Sequence, residues 1–195
     1  MVKLLGIAKQ KEGKGISVRV HPTMLPKNHP LATVNDVFNA VFVKGEPVGE
    51  TMFFGQGAGR MPTASAVCGD ILESTRNILH GCTGRVGCTC YEQKPFMGPK
   101  DIYSPSYVRM LVQDRPGVWA AIATAFGDNE VSLKTVVQKR SLGNLAEIVV
   151  ITHGVSEYAL RKAEKALSNL SVVSRICNII RVEDDSLNEQ LKEQN

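Results

Sequence analysis

Three groups of residues in this chain are of types and spacings that could do chemistry. The first is Gly55-Gln56-Gly57-Ala58-Gly59, which follows an apolar, strand-like stretch and precedes a long helical pattern. Glycine lets the backbone approach a ligand closely, and a helix N-terminus offers free N–H groups and the positive end of a dipole, so a phosphate or a planar ring could sit there. The spacing is Gly-x-Gly-x-Gly rather than Gly-x-Gly-x-x-Gly, and no βαβ unit with a ribose-binding acid surrounds it. On spacing alone, a tight turn built from small residues for close packing is the simpler account. The second group is His80, Cys82, Cys88 and Cys90. Its Cys-x5-Cys-x-Cys spacing lacks the paired Cys-x2–4-Cys of common structural zinc sites, so free thiols and no metal are expected. The third is His21 and His29, each beside a proline, with no Ser, Cys or carboxylate arrangement to make either a catalyst.

The elements that must position these residues read as follows. Val2 to Lys9 is apolar, and Ile16-Ser17-Val18-Arg19-Val20 alternates with the period of two of a half-buried strand. His21-Pro22 is expected to end that strand, because proline cannot donate to a ladder. Val37 to Val43 and Val48 to Phe54 are strands joined by the turn Lys44-Gly45-Glu46-Pro47. A helix is expected from about Pro62 to Leu79, with Val67, Ile71 and Leu72 as its apolar stripe and Cys68 a small buried residue within it. Residues 80–106 hold several glycines and prolines and little periodicity, the signature of a linker.

From Tyr107 the pattern changes. Val108 to Val112 is a strand, Asp114-Arg115-Pro116-Gly117 a sharp turn, and Val118, Ile122 and Phe126 share one helical face. Strands follow at Val131 to Gln138 and Glu147 to Thr152, with a hairpin-like connection from Arg140 to Asn144. Ser156 is positioned to N-cap a helix with Leu160, Ala163, Leu167 and Leu170 inside. Val172 to Val182, holding Cys177 as a buried apolar residue, is the last strand. The order βαββαβ is the ferredoxin-like pattern. The expected class is therefore α+β: a partial mixed-sheet domain with one long helix over 1–80, a linker over 81–106, the ferredoxin-like domain over 107–183, and a polar, fraying tail over 184–195.

Bulk properties narrow the function classes. The chain has 195 residues, 43% hydrophobic and 22% charged, with a formal net charge of +4. Its basic residues are scattered, with no aromatic-interleaved basic stripe, which argues against nucleic-acid binding. No apolar run approaches the roughly 20 residues of a membrane span. Five cysteines and no secretory signal point to a reduced, cytoplasmic setting.

Several runs resemble homoserine dehydrogenase. They are Val18-Arg19-Val20-His21-Pro22-Thr23, His29-Pro30-Leu31-Ala32-Thr33-Val34-Asn35, Phe38-Asn39-Ala40-Val41, and Gly49 through Gly59 with Pro62-Thr63-Ala64-Ser65-Ala66-Val67 and Asp70 after them. The match is to the distal part of that family's substrate and dimerisation domain, over residues 1 to about 80. It implies that Gly59, with Gly57 and Ala58 beside it, lies against a nicotinamide cofactor, NADP or NAD. Arg60 stands where many relatives carry a small residue. The family's substrate-binding acid and catalytic lysine lie in a segment resembling Asp-x-x-Gly-x-Asp-x-x-x-Lys, a pattern this sequence lacks, as it lacks a Rossmann unit. No catalytic residue is therefore assigned, and the isolated chain is expected to be inactive. Lys3-Leu4-Leu5-Gly6-Ile7-Ala8 enters without a polar lead-in, as expected of a chain cut in mid-domain or translated from an internal start.

Residues 107–183 resemble an ACT domain through Asp114-Arg115-Pro116-Gly117-Val118, the helix after them, and Val131-Ser132-Leu133. The resemblance implies side-by-side pairing into a homodimer and a small amino acid bound at the interface. The residues implicated are Asp114, Gly117, Val118 and Ser132. Gly117 would let backbone N–H groups point at a carboxylate near a helix N-terminus, and Asp114 would meet the ammonium group or simply cap the turn. Trp119 serves packing or a dimer contact. For dehydrogenases carrying this domain the implied effector is threonine. The alternative is a non-enzymatic, amino-acid-sensing ACT protein.

Overall fold

The computed structural model describes residues 1–82, 88 and 90–183. Residues 83–87 and 89 of the expected linker, and the whole polar tail 184–195, lie outside the described residues. In chain order the elements are β1 (Val2–Lys11), β2 (Gly15–Met24), β3 (Phe38–Gly45), β4 (Gly49–Gln56), α1 (Arg60–Leu79), β5 (Tyr103–Ser104) and β6 (Ser106–Gln113). They continue with α2 (Val118–Gly127), β7 (Leu133–Leu142), β8 (Leu145–Thr152), β9 (Val155–Ser156), α3 (Glu157–Ser168) and β10 (Val173–Val182). The fold is α+β. It divides into two compact units, Met1–Pro26 with Lys94 onward, and Lys27–Gln93. The packing therefore does not follow a boundary at residue 80: the first two strands group with the later half of the chain.

In the larger unit, β6-α2-β7-β8-α3-β10 forms the βαββαβ arrangement. Its strands lie in the order β10-β6-β8-β7 within a six-stranded sheet that β2 and β1 extend. Alternation along β6 buries Val108, Met110 and Val112 on one face, where they meet Ile122 and Phe126 of α2 and Leu160, Ala163 and Leu167 of α3. Ser156 caps α3 as expected: its Oγ accepts the Ala159 N–H at 3.2 Å. The hairpin expected at Arg140 to Asn144 is tighter. Leu142 pairs with Leu145, leaving Gly143-Asn144 as a two-residue turn with Gly143 at φ 63°.

Two expectations are corrected here. His21-Pro22 does not end β2, which runs to Met24 with Pro22 opposite Leu4 and His21 opposite Leu5. Proline removes only its own donor, and β2 meets its second neighbour, β10, only at Thr23 and Met24, so the strand continues past it. Residues 94–104 also do more than link: Ile16 N–H donates to the Pro95 carbonyl at 2.9 Å and Met97 N–H to the Ile16 carbonyl at 2.8 Å.

In the unit Lys27–Gln93, a 3-10 turn (Pro30–Thr33) leads to the β3–β4 hairpin, in register from Phe38 opposite Gln56 to Gly45 opposite Gly49. Phe38 and Phe54 stack at 5.0 Å. Helix α1 follows directly and buries none of its residues. Cys68, expected to be buried, is therefore exposed, because no element described within its own unit covers the helix face it lies on. Cys177 in β10 is half-buried. Among the described residues no helix is long and apolar enough to cross a membrane.

Candidate functional site: two glycine turns at helix starts

The first turn connects β4 to α1. Gly57 is fixed by its N–H, which donates to the Val37 carbonyl at 3.0 Å. A Cβ built on Gly57 would lie 1.5 Å from Asn39 Nδ2. This glycine is explained by the close approach of β3, so it is a packing residue of the turn, and Ala58 beside it is exposed. Gly59 differs. It sits at φ 126°, a conformation L side chains rarely adopt, and occupies the N-cap of α1 without any side-chain cap. Its carbonyl takes the Thr63 N–H at 3.1 Å. The first N–H groups of α1 have no intrahelical acceptor by construction, and Pro62 has no N–H to offer. The turn therefore presents backbone donors and no acidic side chain in the first helical turn. Asn39, which holds Gly57 in place, was legible only as part of the Phe38-Asn39-Ala40-Val41 resemblance.

The second turn connects β6 to α2. Gly117 is in the left-handed region at φ 86° and N-caps α2, again without a side-chain cap. A Cβ there would meet nothing within 4 Å, so backbone conformation, and not space, calls for glycine. Asp114 is exposed; its N–H donates to the Asn144 carbonyl at 2.9 Å, and its Oδ2 accepts the Ser141 hydroxyl at 2.6 Å. The β7–β8 hairpin thus fixes the aspartate beside the helix start. Val118 is buried in the core, so only its backbone can face a ligand. Ser132 is not brought to this turn. It precedes β7, whose first residue pairs with Thr152, whereas the Asp114 turn lies at the end where Leu142, Leu145 and Gln113 meet. Ser141 lies nine positions beyond Ser132, roughly 30 Å at the usual strand rise.

Of the other candidates, His29 caps the 3-10 turn, its Nδ1 accepting the Leu31 N–H at 3.1 Å, and its ring lies 5.2 Å from that of Phe42. Cys82, Cys88 and Cys90 are exposed free thiols, and among the described residues no three His, Cys, Asp or Glu side chains gather as for a metal. Hydrogen bonds from the Cys90 backbone and thiol hold the Cys88 thiol below its ordinary range. Trp119, at the start of α2, is partly exposed.

Comparison with known proteins joins the two turns. The homoserine dehydrogenase family profile matches residues 1–72 and the ACT-domain profile residues 106–172. The homoserine dehydrogenase of Bacillus subtilis is 41% identical over 184 residues, covering 93% of this chain and 42% of that protein. That of Corynebacterium glutamicum is 42% identical over 189 residues, covering 94% of this chain and 42% of its own length. The crystal structure of a homoserine dehydrogenase from Thiobacillus denitrificans superposes with a TM-score of 0.82 at 35% identity, over 94% of this chain and 42% of that one. The chain thus spans well under half the length of these relatives. Residues 1–72 thus match the homoserine dehydrogenase family and residues 106–172 the ACT domain, and more than nine-tenths of the chain is similar to a stretch of these homoserine dehydrogenases.

Proposed function

We propose that this chain is the part of a homoserine dehydrogenase that contributes the cofactor-side turn and the amino-acid-sensing domain. The whole enzyme would interconvert L-aspartate 4-semialdehyde and L-homoserine with NAD or NADP, on the route to threonine, methionine and isoleucine. The observation that carries this reading is the 41% identity to the Bacillus subtilis enzyme across 93% of the chain, through both glycine turns. The nicotinamide cofactor, when bound, supplies or accepts the hydride. On the side of this chain, Gly57 packs the turn against β3, and Ala58 and Gly59 leave the uncapped start of α1 free to meet it with backbone N–H groups. No residue here is assigned to proton transfer, since nothing matches the Asp-x-x-Gly-x-Asp-x-x-x-Lys pattern. The chain alone is therefore inactive in this reading. Purified chain supplied with aspartate semialdehyde and NADPH should show no oxidation of NADPH, and clear turnover would overturn it. The free thiols fit a cytoplasmic enzyme.

The regulatory half binds a small amino acid, threonine by family, at the Asp114–Val118 turn. The start of α2 attracts the carboxylate, and Asp114, oriented by Ser141, receives the ammonium group. Ser132 can join this site only from a second copy. A two-fold pair with antiparallel elements brings the β7 start of one copy beside the Asp114 turn of the other, so this reading requires a homodimer. Calorimetric titration with threonine tests it: absence of binding at roughly millimolar concentration counts against a threonine site. The alternative, a non-enzymatic sensor, draws on one observation, the closed core of the βαββαβ unit. Threonine binding that leaves a complementing catalytic polypeptide's activity unchanged would favour it.

A further inference from the structure

We propose that a cleft of about 360 Å³, lined by β2, residues 97–102, the start of α3 and Arg181 of β10, binds a small oxyanion, a phosphate or carboxylate group, with Arg19 as its principal contact. The cleft is separate from both glycine turns. Its lining holds three arginines, Arg19, Arg161 and Arg181, against one carboxylate, Glu157. Two of the three are already committed. Arg161 donates to Glu157 Oε1 at 3.1 Å, while Arg181 donates to Oε2 through Nε at 3.3 Å and to Oε1 through Nη2. This triad still carries net positive charge.

Arg19 is differently placed. Its one acidic contact among the described residues is long, Nη2 to Glu183 Oε1 at 3.4 Å, and the other oxygen of that carboxylate is taken by Lys9 at 2.5 Å. The Nε and Nη1 atoms of Arg19 are buried and have no partner among the described residues, and the same is true of Nε2 of His21, two residues along the same strand face. His21 Nδ1 lies 3.0 Å from the Thr23 hydroxyl and 3.1 Å from the Pro22 carbonyl oxygen, which orient the ring. Buried charged donors are as a rule hydrogen-bonded, because leaving them unmet forfeits their hydration without return. An anion with several oxygens meets the Arg19 donors. The N-terminal amides of α3 are not the recognition element: Glu157, Tyr158 and Ala159 N–H groups already go to Ile102, Pro99 and Ser156. Selectivity comes from the side chains, and the apolar wall at Met97 and Ile102 limits the ligand to a compact body.

Titration of the full 195-residue chain with sodium phosphate, and separately with succinate, in a zwitterionic buffer at low ionic strength tests the assignment. Saturable binding is expected, weakened about tenfold or more by Arg19→Gln and unchanged by Arg175→Gln, an exposed arginine elsewhere on β10. Tighter phosphate than succinate assigns a phosphate-bearing ligand, and the reverse a carboxylate. Amide shifts in the unaltered chain should map to Arg19–His21 and Glu157–Arg161, which decides the matter even where Arg19→Gln fails to fold. Absence of saturable binding of either anion below roughly 10 mM overturns the proposal. So do wild-type affinity in a folded Arg19→Gln and shifts centred on the Gly117 turn.

Discussion

The two units of this chain use apolar residues in opposite ways. In the larger unit, Ile122, Met110 and Ile148 are fully buried and Phe126 nearly so, between two helices and a sheet. In the Lys27–Gln93 unit, helix α1 carries Val67, Ile71, Leu72, Ile78 and Leu79 with at least half of each side chain exposed, and Phe53 and Phe54 of the hairpin are likewise open. Both units carry apolar stripes, the one on α1 weaker than that on α3. Periodicity names the face that seeks burial, but the covering surface must come from elsewhere in the chain or from another polypeptide. The relatives it matches are more than twice as long as this chain.

The contrast is sharpest in truncation. Phe126→Ala removes a fully enclosed ring and should cost roughly 3–5 kcal/mol, whereas Leu72→Ala on α1 should change stability by about 0.5 kcal/mol or less. Urea denaturation of the two variants measures both. Equal losses would mean that α1 is packed as tightly as the core and would erase the distinction between the units.

This difference also explains what could be read from the sequence. The βαββαβ half was legible because its signals are local: alternation along β6, the i, i+4, i+8 face of α2, and Ser156 as a cap. The joining of β1 and β2 to that sheet was not legible, since it rests on backbone pairing between residues some 160 positions apart, at Thr23–Arg181 and Met24–Val182. Pro22 misled because the rule against proline in strands concerns the missing donor, and β2 has no neighbour that demands it there. Ser132 was grouped with Asp114 by resemblance alone, and sequence proximity to a turn does not tell which end of a sheet a strand starts from. Gly57 and Gly59 look alike in the sequence. Only the positions of Asn39 and the α1 axis separate a packing glycine from one that opens a helix end.

That separation gives an intermediate effect. Gly57→Ala forces Cβ into the Asn39 side chain and should destabilise the hairpin by about 1–3 kcal/mol, seen as faster hydrogen exchange along β3 and β4. The double variant Asn39→Ala/Gly57→Ala should recover most of the loss. A single variant as protected as wild type would mean that Gly57 is free to face a ligand after all, and that the two glycines share one role.

The smallest effect lies in the charges, where the units again differ. In the larger unit Glu147 is buried on the sheet and accepts Arg140 Nε and Arg109 Nε, each at 2.6 Å. These hydrogen bonds, from Arg140 first and then Arg109, hold its carboxyl below the ordinary value of 4.5 against an opposing effect of burial. A depressed folded value means that the unfolded chain binds the proton more readily. The stabilisation is therefore complete above about 4.5 and is lost as pH falls through the lower folded value. Glu147→Gln should be less stable than wild type at neutral pH, and the gap should close on acidification through that window. In the other unit Lys44 and Glu50 lie 3.3 Å apart with about half of each side chain exposed, so Glu50→Gln should leave stability unchanged at any pH. Urea titrations of both variants at neutral pH and at about pH 3 decide it. If Glu147→Gln keeps a constant gap down to the acid end, the two arginines act on Glu147 through packing, and the charge contrast between the units falls away.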